Sequence, residues 1–154
     1  MDEDKLNRLP TDVKKQFLKL ALKLSEKKTK SKVHDDFLSF VKHVWPEFIE
    51  GPHHKKIAEK FNRLAKGEVK RLIINMPPRH TKSEFASFLL PSWMVGRKPD
   101  LKIIQTTHTT ELAIRFGRKA KNLMDSPEYK QVFQTRLKED SQAAGKWETE
   151  QGGE

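Results

Sequence analysis

The sequence predicts an α/β chain, with a partial parallel sheet, flanking helices and an N-terminal helical region. Three observations carry this. Lys70–Met76 contains the continuous apolar run Leu72-Ile73-Ile74, the pattern of a buried strand. Leu101-Lys102-Ile103-Ile104-Gln105-Thr106 reads as a second strand, and Ser83–Val95 between them reads as a helix. A strand–helix–strand order at this spacing closes as a right-handed crossover with parallel strands. The first strand meets the helix through Met76-Pro77-Pro78-Arg79-His80-Thr81-Lys82-Ser83, a tight loop ending in Lys-Ser. Strands and loop together predict a partial sheet of the P-loop NTPase type.

The elements follow in order. Thr11–Leu24 place Val13, Phe17, Leu20, Ala21 and Leu24 at helical spacing, with lysines on the other face. Such a helix packs on a core or docks a partner or DNA. Lys27-Lys28-Thr29-Lys30-Ser31-Lys32 reads as a polar linker, so residues 1–36 form a basic amphipathic helix and linker ahead of a domain at 37–154. Phe37–Trp45 is an apolar helical segment closed by Pro46. His54, Ile57, Phe61 and Leu64 mark a third helix with Gly67 at its end. After the second strand, Thr109 or Thr110 caps a helix whose face is Leu112, Ala113, Phe116, Ala120, Leu123 and Met124. Ser126-Pro127 breaks it, and Tyr129, Val132 and Phe133 form a last short apolar patch. In the polar tail from Leu137, Trp147 followed by Gly152-Gly153 reads as the first strand of a hairpin whose partner lies beyond Glu154.

Bulk properties narrow the classes. The 154 residues suffice for one domain with a real core. With no cysteine there is neither a disulfide framework nor a thiolate metal site. No apolar run approaches the ~20 residues that span a bilayer, and Met1-Asp2-Glu3-Asp4 is not a signal peptide. A soluble intracellular protein without a membrane partner is expected. The net charge of +10 favours polyanionic partners. Residues 52–82 hold nine Lys/Arg against Glu59 and Glu68, a local excess of +7, although such runs are usually solvated faces.

The loop's chemistry follows from its residue types. Backbone N–H groups at a helix start face an anion, and the helix dipole favours negative charge there. Lys82 reaches the outer phosphates, and Ser83 holds a magnesium ion. The expected cofactors are therefore ATP and Mg2+. Pro77 and Thr81 stand where the common glycine-rich pattern has glycines. The competing structural reading is a plain turn, with Pro-Pro stopping the strand and Ser83 capping the next helix.

From about Phe37 to Glu154 the order of motifs resembles the ATPase domain of the large terminase subunit, the DNA-packaging motor of tailed bacteriophages. The motifs are Phe40-Val41 to Trp45-Pro46, Pro52-His53-His54, and Gly67-Glu68 leading into Arg71–Ile74. Pro77–Glu84, Pro91-Ser92-Trp93, Thr106-Thr107-His108, Ser126–Tyr129 and Trp147…Gly152-Gly153 continue the series. The resemblance implies an ATP site at Pro78, Arg79, His80, Thr81, Lys82 and Ser83. Arg79 and Lys82 would be its catalytic cations, Arg79 stabilising charge on the γ-phosphate. His54 falls near the family's adenine-contacting glutamine. Trp45 and Trp93 read as core. The resemblance also implies double-stranded DNA, the small terminase subunit and the portal protein as partners. A homo-oligomer in the assembled motor and a site of action in the bacterial host cytoplasm, transiently on the procapsid, belong to the same expectation.

The family's acidic Walker B-type strand and nuclease domain have no counterpart here. The isolated chain is therefore expected to hold nucleotide without turning it over. The rivals are a helicase-like P-loop fragment and a stand-alone basic DNA- or protein-binding module.

Overall fold

The computed structural model describes residues 10–143 and 145–153, excluding the side chains of Ser141 and Gln142. The chain divides into two compact units, Met1–Ser31 and Lys32–Glu154. Helix α1, Thr11–Asp35, runs unbroken through the lysine-rich stretch expected to be a linker. Lysine has good helix propensity, and the stretch contains no Gly or Pro to stop it.

In the second unit, α2 (Phe37–Val44) and α3 (Pro52–Ala65) are followed by a helical run from Lys82 to Arg97. That run comprises α4 (Lys82–Glu84), a π-turn (Phe85–Leu89) and α5 (Leu90–Arg97). The Leu90 N–H reaches back five residues to the Phe85 carbonyl, which marks the extra residue of a π-turn. Helices α6 (Thr110–Asp125) and α7 (Pro127–Val132) complete the helical part. Thr109 caps α6 by accepting from Leu112 N–H, and Ser126 caps α7 by accepting from Tyr129 N–H.

The core is an aromatic cluster. Phe37 meets Phe61, Phe85 and Trp93 edge-on, with ring centroids 5.1, 5.3 and 5.5 Å apart. Phe40, Tyr129 and Phe133 continue it, and Leu89 and Met124 fill around them. The buried polar tips are satisfied: Tyr129 Oη donates to the Ser92 carbonyl at 2.8 Å, and Trp93 Nε1 to the Val33 carbonyl at 3.3 Å.

The predicted parallel sheet is not there. Among the described residues the protein is mostly helical, and its only sheet is the two-stranded antiparallel pair β1 (Leu137–Ala143) and β2 (Lys146–Thr149). Residues 71–76 and 101–106 belong to no helix or strand, and no ladder joins them. Their apolar residues alternate in exposure. Leu72, Ile74, Ile103 and Leu101 are half-buried, whereas Ile73 and Ile104 are 86% and 93% exposed. Leu72, Ile74 and Ile103 pack against the core, so each segment covers it with alternate residues. The α/β assignment fails because a strand is completed by a neighbour, and neither segment supplies the other with one.

The tail also corrects an expectation. Trp147 lies in the second strand of its hairpin, not the first, with Leu137 opposite Thr149 and Gln142 opposite Trp147. Its partner was hidden by composition, since Leu137–Ala143 is polar apart from its ends. The Gly-Gly signal belongs to the turn after β2. Gly152 has φ +86°, and a Cβ on Gly153 would lie 2.2 Å from the Pro99 carbonyl oxygen. Thr149 Oγ1 donates to that same carbonyl at 2.6 Å. The tail is thereby fastened to the start of the 101–106 segment. No helix among the described residues is long and apolar enough to cross a membrane.

Candidate anion-binding loop

The loop 77–83 follows the segment 71–76 and closes at the N-terminus of α4. Two of its residues, Arg79 (φ 64°) and Thr81 (φ 59°), adopt the left-handed conformation. Arg79 carries an ordinary cost there, but a β-branched threonine is an outlier that its surroundings must enforce.

The surroundings are visible. The Gly51 N–H donates to His54 Nδ1 at 2.9 Å, so Nδ1 is an acceptor and the ring proton sits on Nε2. Nε2 lies 2.7 Å from Thr81 Oγ1, to which it donates. Thr81 Oγ1 in turn donates to the His80 carbonyl at 2.6 Å. This chain runs from the start of α3 into the loop with every donor matched to an acceptor. His54 is buried at 5% exposure between Phe48 and Phe85, with centroids at 4.8 and 5.1 Å. Burial first, and then the neighbouring His53, hold its pKa below the usual histidine value; Glu50 opposes and His80 adds to the lowering. The ring is thus kept neutral, as its hydrogen bonds require.

Thr81 occupies the N-cap position, yet its hydroxyl does not cap the helix. The Phe85 N–H bonds back to the Thr81 carbonyl. The N–H groups of Lys82, Ser83 and Glu84 precede the first intrahelical acceptor and have none by helix geometry. They lie where Pro77, Pro78, Arg79, Thr81, Lys82, Ser83 and Glu84 line a cavity of about 220 Å³. Arg79 and Ser83 are exposed at this cavity, and Lys82 is half-buried with Nζ donating to the Met76 carbonyl at 3.2 Å. His80 Nδ1 stands 2.8 Å from the Pro78 carbonyl, which tightens the top of the loop.

The acid of the site is committed elsewhere. Both Glu84 carboxylate oxygens accept from Lys119 at 2.9 Å, which ties α4 to α6. Among the described residues no group of three or more His, Asp or Glu side chains is spaced to hold a metal ion. For phosphate the donors fit. For magnesium the loop offers one hydroxyl, Ser83 Oγ, whereas such ions favour carboxylates together with phosphate oxygens. An ion held here would need its remaining ligands from outside the loop.

The structure brings Pro78, Arg79, Thr81, Lys82 and Ser83 to one cavity and leaves Thr106-Thr107-His108 out of its lining. His54 contacts the loop with both ring nitrogens engaged by the protein itself. Trp93 is wholly buried, and Trp45 packs at a tilt on Phe48, with ring centroids 5.4 Å apart. The support that His54 gives Thr81 was missed in the sequence. Its trace there is a Gly-x-x-His spacing at a helix start, in which a histidine at the third helical position reaches back to the preceding backbone N–H.

No family model matches the chain, and no characterised protein or solved structure matches it either.

Proposed function

We propose that loop 78–83 grips the phosphates of ATP, and that the chain is the nucleotide-holding part of a DNA-packaging motor of the terminase kind. The observation that carries this is the uncapped start of α4 beside Lys82 and Arg79, in a loop held in a strained shape by His54. Successive N–H groups around left-handed residues form an anion-binding concavity, to which the two cations add charge. The motif order from Phe37 to Gly153 supplies the packaging-motor part of the proposal and, with it, double-stranded DNA, a small terminase subunit, a portal protein and an oligomer as partners.

Each residue has a role in binding. The α4 N–H groups take the phosphate nearest the loop. Lys82 exchanges the Met76 carbonyl for an outer phosphate, a charge-assisted bond stronger than the neutral one it leaves. Arg79 reaches over the mouth of the cavity towards the terminal phosphate. Bound magnesium would neutralise phosphate charge, with Ser83 as its protein ligand. No free carboxylate in the loop is placed to orient an attacking water, because Glu84 is paired with Lys119. Binding without appreciable turnover is the expected behaviour of this chain.

Calorimetric titration with ATP and magnesium tests the reading. Lys82→Ala removes an interaction of ~1.5–3 kcal/mol and should weaken binding by at least about tenfold. Equal affinity of the two proteins overturns the assignment. Phosphate release that depends on Lys82 would overturn the expectation of no turnover.

A DNA-binding role has its own support in the basic segment. Lys55, Lys60 and Arg63 pair with Glu50, Glu59 and Glu68 respectively. Lys56, Lys66, Lys70 and Arg71 are exposed and have no acidic partner among the described residues.

A further inference from the structure

Helix α1 carries an apolar stripe that solvent reaches. Val13, Phe17, Leu20 and Leu24 are 43%, 38%, 56% and 59% exposed. Their 4-3-4 spacing places them within about 60° of one another around the helix, a narrow seam of the a/d kind. The positions beside the seam are Gln16, Ala21, Lys23 and Lys28, which are basic or neutral. Residues 11–31 hold seven lysines against Asp12 and Glu26, a net charge of +5.

We infer that this seam docks an acidic amphipathic helix of another protein. Charge complementarity selects this occupant. A second copy of α1 would set lysine against lysine along both sides of the seam, which is destabilising. An anionic lipid surface suits a broad apolar face opposite a separate basic one. Here Leu18 and Leu22 lie on the side away from the seam, and lysines flank the seam as well as covering the far side. A helix with leucines in its seam and glutamates beside it answers both the width and the charge. The seam spans only two heptads, so the affinity is modest and salt-sensitive.

The probe is a synthetic peptide of leucine-seamed, glutamate-flanked heptads, titrated against the full chain by fluorescence anisotropy. The control is a scrambled peptide of identical composition. Binding is expected for the ordered peptide alone. Leu20→Glu should weaken it at least tenfold, while Leu22→Glu on the far side leaves it within twofold. Equal binding of the scrambled peptide would show charge attraction without a seam and overturn the inference. So would an unchanged affinity in Leu20→Glu. Sedimentation that shows a dimer lost in Leu20→Glu would assign the seam to a second copy. Seam-dependent binding to phosphatidylserine vesicles without peptide binding would assign it to a membrane. Either result overturns the inference.

Discussion

The His54 imidazole holds Thr81 in the left-handed region through one hydrogen bond of 2.7 Å, made from a helix start 27 residues earlier. The loop's shape is therefore set outside the loop. Thr81→Val keeps the β-branched strain and removes the acceptor for Nε2–H, so it should cost ~1–3 kcal/mol. Thr81→Gly also loses the acceptor but relieves roughly 1–2 kcal/mol of left-handed strain, so it should be the more stable of the two. Urea unfolding of both variants checks the order, and a less stable glycine variant would refute the claim of strain.

Stability should fall on mild acidification because of the same histidine. Burial first, then His53, lower the folded pKa of His54 below its unfolded value. Between the two values the unfolded chain holds the proton that the folded chain does not. The contribution is intact above about pH 6.5 and is lost as the pH falls from there towards the folded value. Urea midpoints compared at about pH 7.5 and pH 5.5 should show this loss. His54→Gln, which cannot titrate, should show a flatter dependence.

Asp36 is a second acid-labile point. Its carboxylate accepts from Ser39 N–H at 2.8 Å, Ser39 Oγ at 2.6 Å and Asn62 Nδ2 at 2.8 Å, joining the start of α2 to α3. Burial pushes its pKa up, but the hydrogen bonds from Ser39 and Asn62, with Lys32 nearby, more than reverse this and leave it below the usual value. Its contribution is present above the unfolded value of about 4 and is lost as the pH drops below it. Asp36→Ala should cost about 1–2 kcal/mol at neutral pH as a lost cap. Asp36→Asn should cost less, and thermal melts separate the two.

The helices were legible because their information is local. Phe37, Phe40 and Val41, or Phe116, Ala120 and Met124, repeat at the period of the backbone they sit on and are buried as that period requires. Leu72-Ile73-Ile74 and Leu101–Thr106 read as strands but form none: pairing is a relation between distant segments, and a run of apolar residues does not name its neighbour. Leu137–Ala143 failed in the opposite way: it is a real strand whose polar composition concealed it. The Lys82-Ser83 loop stood out by motif, whereas its dependence on His54 rests on a hydrogen bond that no local pattern encodes.

Gly96 packs against the hydroxyl of Tyr129 and the base of the Phe133 ring. A Cβ there would lie 2.6 Å from both Phe133 Cγ and Tyr129 Oη. Gly96→Ala should therefore overpack the core and cost about 1–3 kcal/mol, although alanine is the better helix former. A melting temperature at or above wild type would show that the rings can move aside.

Binding to duplex DNA should be independent of sequence and steeply dependent on salt. If Lys56, Lys66, Lys70 and Arg71 each neutralise a phosphate, log K should fall with log salt at a slope of about −3 to −4. Titrations at several salt concentrations measure this slope, and a flat response excludes the basic segment as a DNA contact.

The π-turn at Phe85–Leu89 separates the aim of the loop from the seating of the core. Upstream of it are Lys82 and Ser83; downstream, Trp93 sits among the aromatic rings. Each residue of a helix advances the chain by about 100°, so the single inserted residue works as a fixed angular offset between anchor and pointer. Deleting one residue there would leave a regular α-helix and every loop side chain unchanged, yet swing Lys82 through more than a quarter-turn. The direction in which the loop faces is thus encoded by a residue count, and insertions or deletions within five positions can redirect it where substitutions cannot.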